Sequence, residues 1–120
     1  MVHYVAITTP DLERSASFYD ALLGPLGWRR HVEDPSAIAW GLVRSAIVVT
    51  RGEAAGGNFG VVSLPAKSIP AVKASFESGL KNGGKVEAEP GASPAFGNGN
   101  YAARLRDPDG YTVEICVAFD

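Results

Sequence analysis

The hydrophobic pattern of the first half of the chain predicts one strand, one helix and three further strands. Alternating apolar residues predict a strand over Tyr4–Thr8. Thr9 or Asp11 can cap the helix that follows, and Pro10 suits a first helical position. Apolar residues then recur every three or four positions, as on one face of a helix, until Gly24 ends the pattern. The three later strands are predicted over Trp28–Val32, Ala37–Leu42 and Ala46–Thr50.

The second half of the chain repeats this order of elements. A strand is predicted over Val61–Leu64, and Ser68 can cap a second amphipathic helix. A shift of 57 residues aligns the first strand and helix of the two halves without a gap, so that Asp11 falls on Ser68. The later strands are predicted over Lys85–Glu89, Asn100–Arg106 and Tyr111–Val117. The chain therefore reads as one domain made by internal duplication, with modules at about residues 1–57 and 58–120.

Strand-rich modules with one helix each indicate an α+β fold in which the helices cover one face of the sheet. The opposite face then forms a concave surface. Because successive side chains of a strand point to opposite faces, strand parity predicts which residues line that surface. They are Tyr4, Ala6, Thr8, Val61, Ser63, Thr112, Glu114 and Cys116.

The last two predicted strands flank the turn Asp107–Gly110, whose Pro-Asp-Gly sequence suits a tight hairpin. The turn fixes the register, which places Glu114 on the concave face between apolar neighbours. A carboxylate at such a position is costly if it is buried and unpaired. Glu114 is therefore either solvated, which is the commoner arrangement and the one we expect, or held by a partner or ligand.

Composition places the chain among globular domains and gives no electrostatic reason to expect nucleic acid or a membrane as partner. The 120 residues are 46% hydrophobic and 20% charged, with a net charge of -2. The single cysteine, Cys116, excludes an internal disulfide, and no apolar stretch is long enough to span a bilayer. The N-terminal residues enter a strand pattern without the apolar core of a signal peptide. We therefore expect a cytoplasmic protein.

Two segments are distinctive: Tyr4–Tyr19 (YVAITTPDLERSASFY) and Asp107–Gly110, the latter with Glu114 four residues after its glycine. They resemble the opening and closing segments of the vicinal-oxygen-chelate proteins, which include glyoxalase I, extradiol dioxygenases and bleomycin-resistance proteins. The resemblance covers nearly the whole chain but does not choose among these activities. It implies two βαβββ modules that form a curved, cup-like sheet with helices on the outer face. It also implies a homodimer and, in metal-dependent members, one divalent ion held inside the cup.

When the metal-ligand positions that the resemblance implies are compared with this sequence one by one, one position holds the expected ligand. The ligand of the last strand matches Glu114. The first-strand position, usually His or Gln, is Tyr4, and its second-half equivalent, usually His, is Val61. His3 is one residue out of register, and the strand that carries the remaining ligand offers only Thr50. Valine cannot bind a metal and a neutral phenol binds poorly, so we expect no cofactor; a divalent Zn, Ni, Mn or Fe ion on Glu114 is the alternative.

The expected ligand site is the interior of the cup. Glu114 is a candidate acceptor or general base there, with Tyr4 beside it as a further ligand-binding residue. The alternative is a structural carboxylate satisfied by Tyr4 or by water. Trp40 and Tyr101 are candidate walls of the pocket or ordinary packing aromatics, the latter being commoner. Phe96 lies in a glycine-rich loop that is either a lid or a plain connector.

The predicted function is binding of a small organic molecule in the cup without the metal site of the family, of which bleomycin-resistance-like sequestration is one form. Arg30 and Arg104 are candidates for recognising a substrate anion, although solvated arginines at strand edges are commoner. The alternative is an enzyme, either a glyoxalase-like lyase or isomerase or a dioxygenase, that uses Glu114 with a divalent ion. A third possibility is metal-free enolisation with Glu114 as the base.

Overall fold

The structure is a computed structural model that describes residues 4–55, 60–92 and 100–117. The first module contains β1 (Val5–Thr9), α1 (Leu12–Leu23), a short 3-10 turn (Gly24–Leu26), β2 (Arg29–Asp34), β3 (Ala37–Gly41) and β4 (Ser45–Arg51). The second module contains β5 (Val61–Pro65), α2 (Ile69–Lys81), β6 (Lys85–Ala92), β7 (Tyr101–Arg106) and β8 (Thr112–Val117). The predicted order of elements is confirmed. The expected boundary near residue 57 lies outside the described residues.

The two modules form separate sheets of identical topology. Each has four strands, in the order β1-β4-β3-β2 in the first and β5-β8-β7-β6 in the second. The pairs β1–β4 and β5–β8 are parallel, and the other pairs are antiparallel. The α+β fold predicted from the duplication is confirmed, and β1 and β5 each lie at the edge of a sheet.

Equivalent polar residues cap the two helices. Asp11 and Ser68 each accept a hydrogen bond from the backbone N–H three residues further on, at 3.0 and 3.2 Å. These bonds satisfy N–H groups that a helix leaves unpaired in its first turn, so each cap fixes where its helix begins. The Thr9 hydroxyl instead accepts from the backbone N–H of Asp11, and Pro10 precedes the cap rather than standing inside the helix.

The core lies between the two helices and the sheet faces that they cover. In β1, β5 and β8, Ile7, Leu64, Val113 and Ile115 lie on those faces, and none of the four is more than 4% exposed. Helices α1 and α2 also pack on each other, where the Ser75 hydroxyl of α2 donates to a carbonyl oxygen of α1 at 2.6 Å. No helix among the described residues is long and apolar enough to cross a membrane.

The closing hairpin turn holds the two modules together. The buried Asp107 carboxylate accepts a hydrogen bond from the Tyr19 hydroxyl at 2.7 Å and from two backbone N–H groups of its own turn at 2.8 and 3.0 Å. The Tyr111 hydroxyl donates to the Thr8 carbonyl at 2.9 Å and accepts from the Ala55 N–H at 2.8 Å. Burial raises the pKa of Asp107, against these hydrogen bonds, which lower it. We call this set of contacts the hairpin latch.

Candidate functional site

Glu114 is buried on the open face of the second sheet, and the expectation of a solvated glutamate is wrong. Its side chain is 3% exposed. One carboxylate oxygen, Oε1, accepts from the Ser63 hydroxyl at 2.7 Å, and the other, Oε2, accepts from Nε of Arg104 at 3.0 Å. Ser63 and Arg104 stand directly opposite Glu114 in β5 and β7. The three side chains therefore form one row across the sheet, which we call the Glu114 row.

Arg104 is the member of this row that reaches solvent. Its side chain is 36% exposed, and its strand lies between β6 and β8 rather than at the sheet edge. The interpretation of Arg104 as a solvated edge residue is therefore wrong. Within residues 4–55, 60–92 and 100–117, only Nε of its guanidinium has a hydrogen-bond partner, which is Glu114. The two terminal nitrogens, Nη1 and Nη2, remain as donors for a further group.

A cavity of about 170 Å³ lies beside the Glu114 row on the open face. Its lining residues come from β6, β7 and β8: Ala88, Glu89, Gly91, Ala92, Ala102, Ala103, Arg104 and Glu114. Gly91 stands opposite Ala102 in the sheet, and Ala88 opposite Arg104. Because these neighbouring positions carry almost no side chain, they leave a recess next to the ion pair. Arg104 and Glu114 therefore both border the recess.

A second ion pair occupies the next row of the same face. Glu87 accepts from the Thr112 hydroxyl at 3.0 Å and lies 3.1 Å from a terminal nitrogen of Arg106. Arg106 also donates to the carbonyl oxygen of Gly110 at 3.1 Å. It is more exposed than Arg104 and does not line the cavity. The two arginines of β7 thus have different surroundings although they are two residues apart.

The predicted aromatic walls face the helices and not the cavity. Trp40 is 1% exposed, its indole N–H donates to Asp20 at 2.9 Å, and its ring centroid lies 5.6 Å from that of Tyr19. Tyr101 is half-buried against the core and lines a separate groove beside α2. Trp40 therefore takes the alternative of ordinary packing, whereas Tyr101 stays a predicted ligand-binding residue that does not line the cavity beside Glu114. Phe96 lies outside the described residues, so its assignment as a lid stays a prediction.

Two other candidates, Arg30 and Tyr4, belong to the first module and form no hydrogen bond with Glu114 among the described contacts. Arg30 forms a bidentate pair with Asp20, at 2.9 and 2.6 Å, and its guanidinium stacks 5.9 Å from the centre of the Trp40 ring. Its donors are committed there rather than to a substrate anion. Tyr4 precedes β1 at the edge of the first sheet and is 52% exposed.

The side chains at the positions of the family's metal ligands do not fit a divalent ion. Val61 has no donor atom, and both oxygens of Glu114 are already hydrogen-bonded to Ser63 and Arg104. Across the described part of the chain, no three His, Cys, Asp or Glu side chains converge on one point. His3 lies outside the described residues. The guanidinium of Arg104 stands next to the carboxylate where a metal-dependent site needs a cation.

The sequence model of the Glyoxalase/Bleomycin resistance protein/Dioxygenase superfamily matches residues 1–115 of the chain. The chain belongs to this superfamily. The structure of a glyoxalase/bleomycin resistance protein from Albidiferax ferrireducens is similar to that of this chain. The two share 32% identity and a TM-score of 0.86 over 95% of this chain and 96% of that one. A putative glyoxalase from Bacillus halodurans shows 26% identity and a TM-score of 0.75 over 98% of this chain and 95% of that one.

Solved structures of lower identity resemble this chain in fold alone. A lactoylglutathione lyase from Agrobacterium tumefaciens has a TM-score of 0.70 at 19% identity, over 98% of this chain and 92% of that one. No match was found among curated proteins. Membership of the glyoxalase/bleomycin resistance/dioxygenase superfamily therefore establishes the architecture, whereas the chemistry depends on the Glu114 row and its cavity.

Proposed function

We propose that this protein binds a small organic molecule on the open face of its second sheet, in the cavity beside Glu114, without a metal centre of the family type. The observation that supports the proposal is the pairing of Glu114 with Arg104 at 3.0 Å in a row closed by Ser63. A buried carboxylate needs a cation or several donors to offset its lost hydration. Arg104 supplies that cation from within the chain.

The cavity supports a binding role over a purely structural one. A structural ion pair needs no space beside it, yet a recess of about 170 Å³ adjoins this one and is lined by both of its partners. Ligand sites typically combine a largely apolar lining with a few placed polar groups. Here alanine and glycine supply most of the lining, and Glu89, Arg104 and Glu114 supply the polar groups.

We propose further that two copies associate and that the second copy covers part of the open face. Strands β1 and β5 lie at sheet edges, and the exposed Tyr4 and Val61 adjoin or belong to them, at 52% and 46% exposure. Exposed edge strands with apolar side chains are usually covered by another chain or element.

A cytoplasmic location remains part of the proposal, since the lone cysteine and the net charge of -2 suit a protein without disulfide, nucleic-acid or membrane partners.

Elemental analysis of the purified protein tests the metal-free part of the proposal. Wild type, Glu114→Gln and Arg104→Gln are incubated with Mn, Ni, Zn and Fe(II), desalted and measured by mass spectrometry. We expect less than one tenth of an ion per chain in wild type, because Glu114 is already paired with a cation and Val61 offers no donor atom. One ion per chain that disappears in Glu114→Gln overturns the proposal and supports the metal-dependent lyase, isomerase or dioxygenase.

Analysis of the bound molecule then separates binding from catalysis. A ligand co-purified or added to the protein is recovered by denaturation and compared with the starting compound. Recovery of unchanged ligand supports sequestration. A changed compound, or deuterium taken up from heavy water next to a carbonyl, supports metal-free enolisation with Glu114 as the base.

A further inference from the structure

We infer that the ligand of this cavity is a small, flat carboxylate, and that Arg104 binds its carboxylate group end-on through Nη1 and Nη2. The inference rests on the proposed function, because it names the chemical class of the molecule in the same cavity. Three features of the site support it: how Arg104 is held, which of its donors remain, and what forms the floor.

Arg104 is held in place before any ligand arrives. Its Nε donates to Oε2 of Glu114, and the same carboxylate is held from the other side by the Ser63 hydroxyl at 2.7 Å. Glu114 is 3% exposed, so this bond is shielded from water. An arginine already fixed by a neighbour loses little side-chain entropy when it binds an anion. Glu114 therefore acts as a positioning residue for the guanidinium.

The donors left on Arg104 match a carboxylate in number and geometry. Nη1 and Nη2 have no hydrogen-bond partner among residues 4–55, 60–92 and 100–117, and the side chain lines the cavity. The two N–H groups at the end of a guanidinium are parallel and bind both oxygens of one carboxylate. A neutral amide accepts from only one of them. The free edge of Arg104 thus favours a planar oxyanion over a neutral group of the same shape.

The floor of the cavity selects for size and flatness. Ala88, Gly91 and Ala102 lie side by side on β6 and β7, so the apolar surface beside the guanidinium is nearly free of projections. The volume of about 170 Å³ is below the range of about 300–1,000 Å³ typical for drug-sized ligands. A short aliphatic chain or a single ring fits. Glu89, which is exposed at the rim, repels an anion weakly because water screens it.

Binding of matched acids and amides to the protein tests this inference. Acetate, butyrate, benzoate and phenylacetate are titrated beside the corresponding amides, with binding followed by the backbone N–H signals of Ala88, Gly91, Ala102 and Glu114 in two-dimensional NMR. We expect at least one acid to shift these signals with an affinity ten or more times that of its amide, since a charge-assisted bidentate pair replaces a single neutral hydrogen bond.

Four variants locate the interaction. Arg104→Lys keeps the charge but loses the paired N–H groups, and we expect it to weaken acid binding at least fivefold. Arg104→Gln combined with Glu114→Gln removes the ion pair without leaving an unpaired buried charge, and we expect it to abolish the preference for acid over amide. Gly91→Ala adds one methyl group to the floor, whose Cβ meets only a backbone oxygen at 3.9 Å, and we expect it to change acid and amide binding by the same factor. Arg106→Gln is the matched control and leaves acid binding within twofold.

The possible outcomes separate the inference from the proposed function. If amides shift the cavity signals as strongly as acids, or if the double variant retains the preference, the carboxylate assignment is wrong while small-molecule binding stands. If neither acids nor amides shift the signals of the cavity residues at millimolar concentration, both are wrong. If Arg106→Gln weakens binding as much as Arg104→Lys, the attraction is a general effect of positive charge and the end-on contact is refuted.

Discussion

Removal of Arg104 is expected to cost more stability than removal of Glu114, although the two residues form one ion pair. Arg104→Gln leaves a carboxylate of 3% exposure without its cation, whereas Glu114→Gln leaves a guanidinium of 36% exposure that water can solvate. Breaking a fully buried pair costs about 3–5 kcal/mol and breaking an exposed one about 0.2–1 kcal/mol. The Glu114 row lies between these limits. We expect about 2 kcal/mol for Arg104→Gln and about 1 kcal/mol for Glu114→Gln.

A double-mutant cycle gives the coupling between the two side chains directly. The double variant places two neutral, hydrogen-bonding amides in the row, and we expect it to cost about 1 kcal/mol. The coupling free energy is then about 2 kcal/mol, well above the error of about 0.5 kcal/mol for independent sites. The assay is urea unfolding followed by circular dichroism at pH 7, with EDTA present so that no metal contributes.

The matched control for this cycle is the neighbouring pair in the same sheet. Arg106 and Glu87 are 46% and 27% exposed, so Arg106→Gln is expected to cost only about 0.5 kcal/mol. The reasoning is refuted if Arg104→Gln is no more costly than Arg106→Gln. It is also refuted if the four free energies of the Arg104–Glu114 cycle are additive, because Glu114 then gains nothing from its partner.

Three further predictions concern the latch, a helix end and the sheet edge. Burial raises the pKa of Asp107 in the folded state, so the folded protein takes up this proton at a higher pH than the unfolded chain does. The free energy of unfolding of wild type, relative to that of Asp107→Asn, should therefore rise as the pH falls from 7 to 4 in urea titrations. A difference that stays constant with pH contradicts this. Gly84→Ala should cost about 1–3 kcal/mol in urea unfolding, since its Cβ lies 2.6 Å from a ring carbon of α1, whereas Gly24→Ala, with nothing within 4 Å, should be neutral. Val61→Lys should dissociate the proposed dimer in light scattering, and Val43→Lys, at a position 91% exposed, should not; equal behaviour of the two argues against an interface at β5.

The elements and their faces follow from the sequence because they depend on local periodicity. Asp11 and Ser68 stand at equivalent places before two amphipathic stretches, and the structure places a cap at each. The helix ends were less regular. Gly27 and Gly84 align in the duplication, yet the positive φ that follows α2 falls on Gly83, at 103°, because the first module places the short 3-10 turn Gly24–Leu26 between α1 and Gly27.

The chemistry of the site depended on contacts that periodicity does not encode. The hairpin register places Arg104 opposite Glu114, so counting back from the turn was a signal that pointed to the pair. Strand parity does not predict whether the long Arg104 side chain lies over the sheet or extends into water. Its conformation depends on the burial of its partner, Glu114. The cavity was less predictable still, because β6 has register shifts between Val86 and Ala88 and again before Gly91.

The hairpin latch lies in the turn before β8 and the Glu114 row crosses β8 itself, and the two share no hydrogen bond. The Asp107 end of the closing motif joins the modules through Tyr19, while Glu114, further along β8, is bonded only to Ser63 and Arg104 among the described residues. The chain can therefore exchange the residues of the row without releasing the contact between its halves. The closing motif is therefore a good indicator of the fold and a poor indicator of the activity. Substitutions that change the ligand preference can be confined to the cavity residues of β6, β7 and β8.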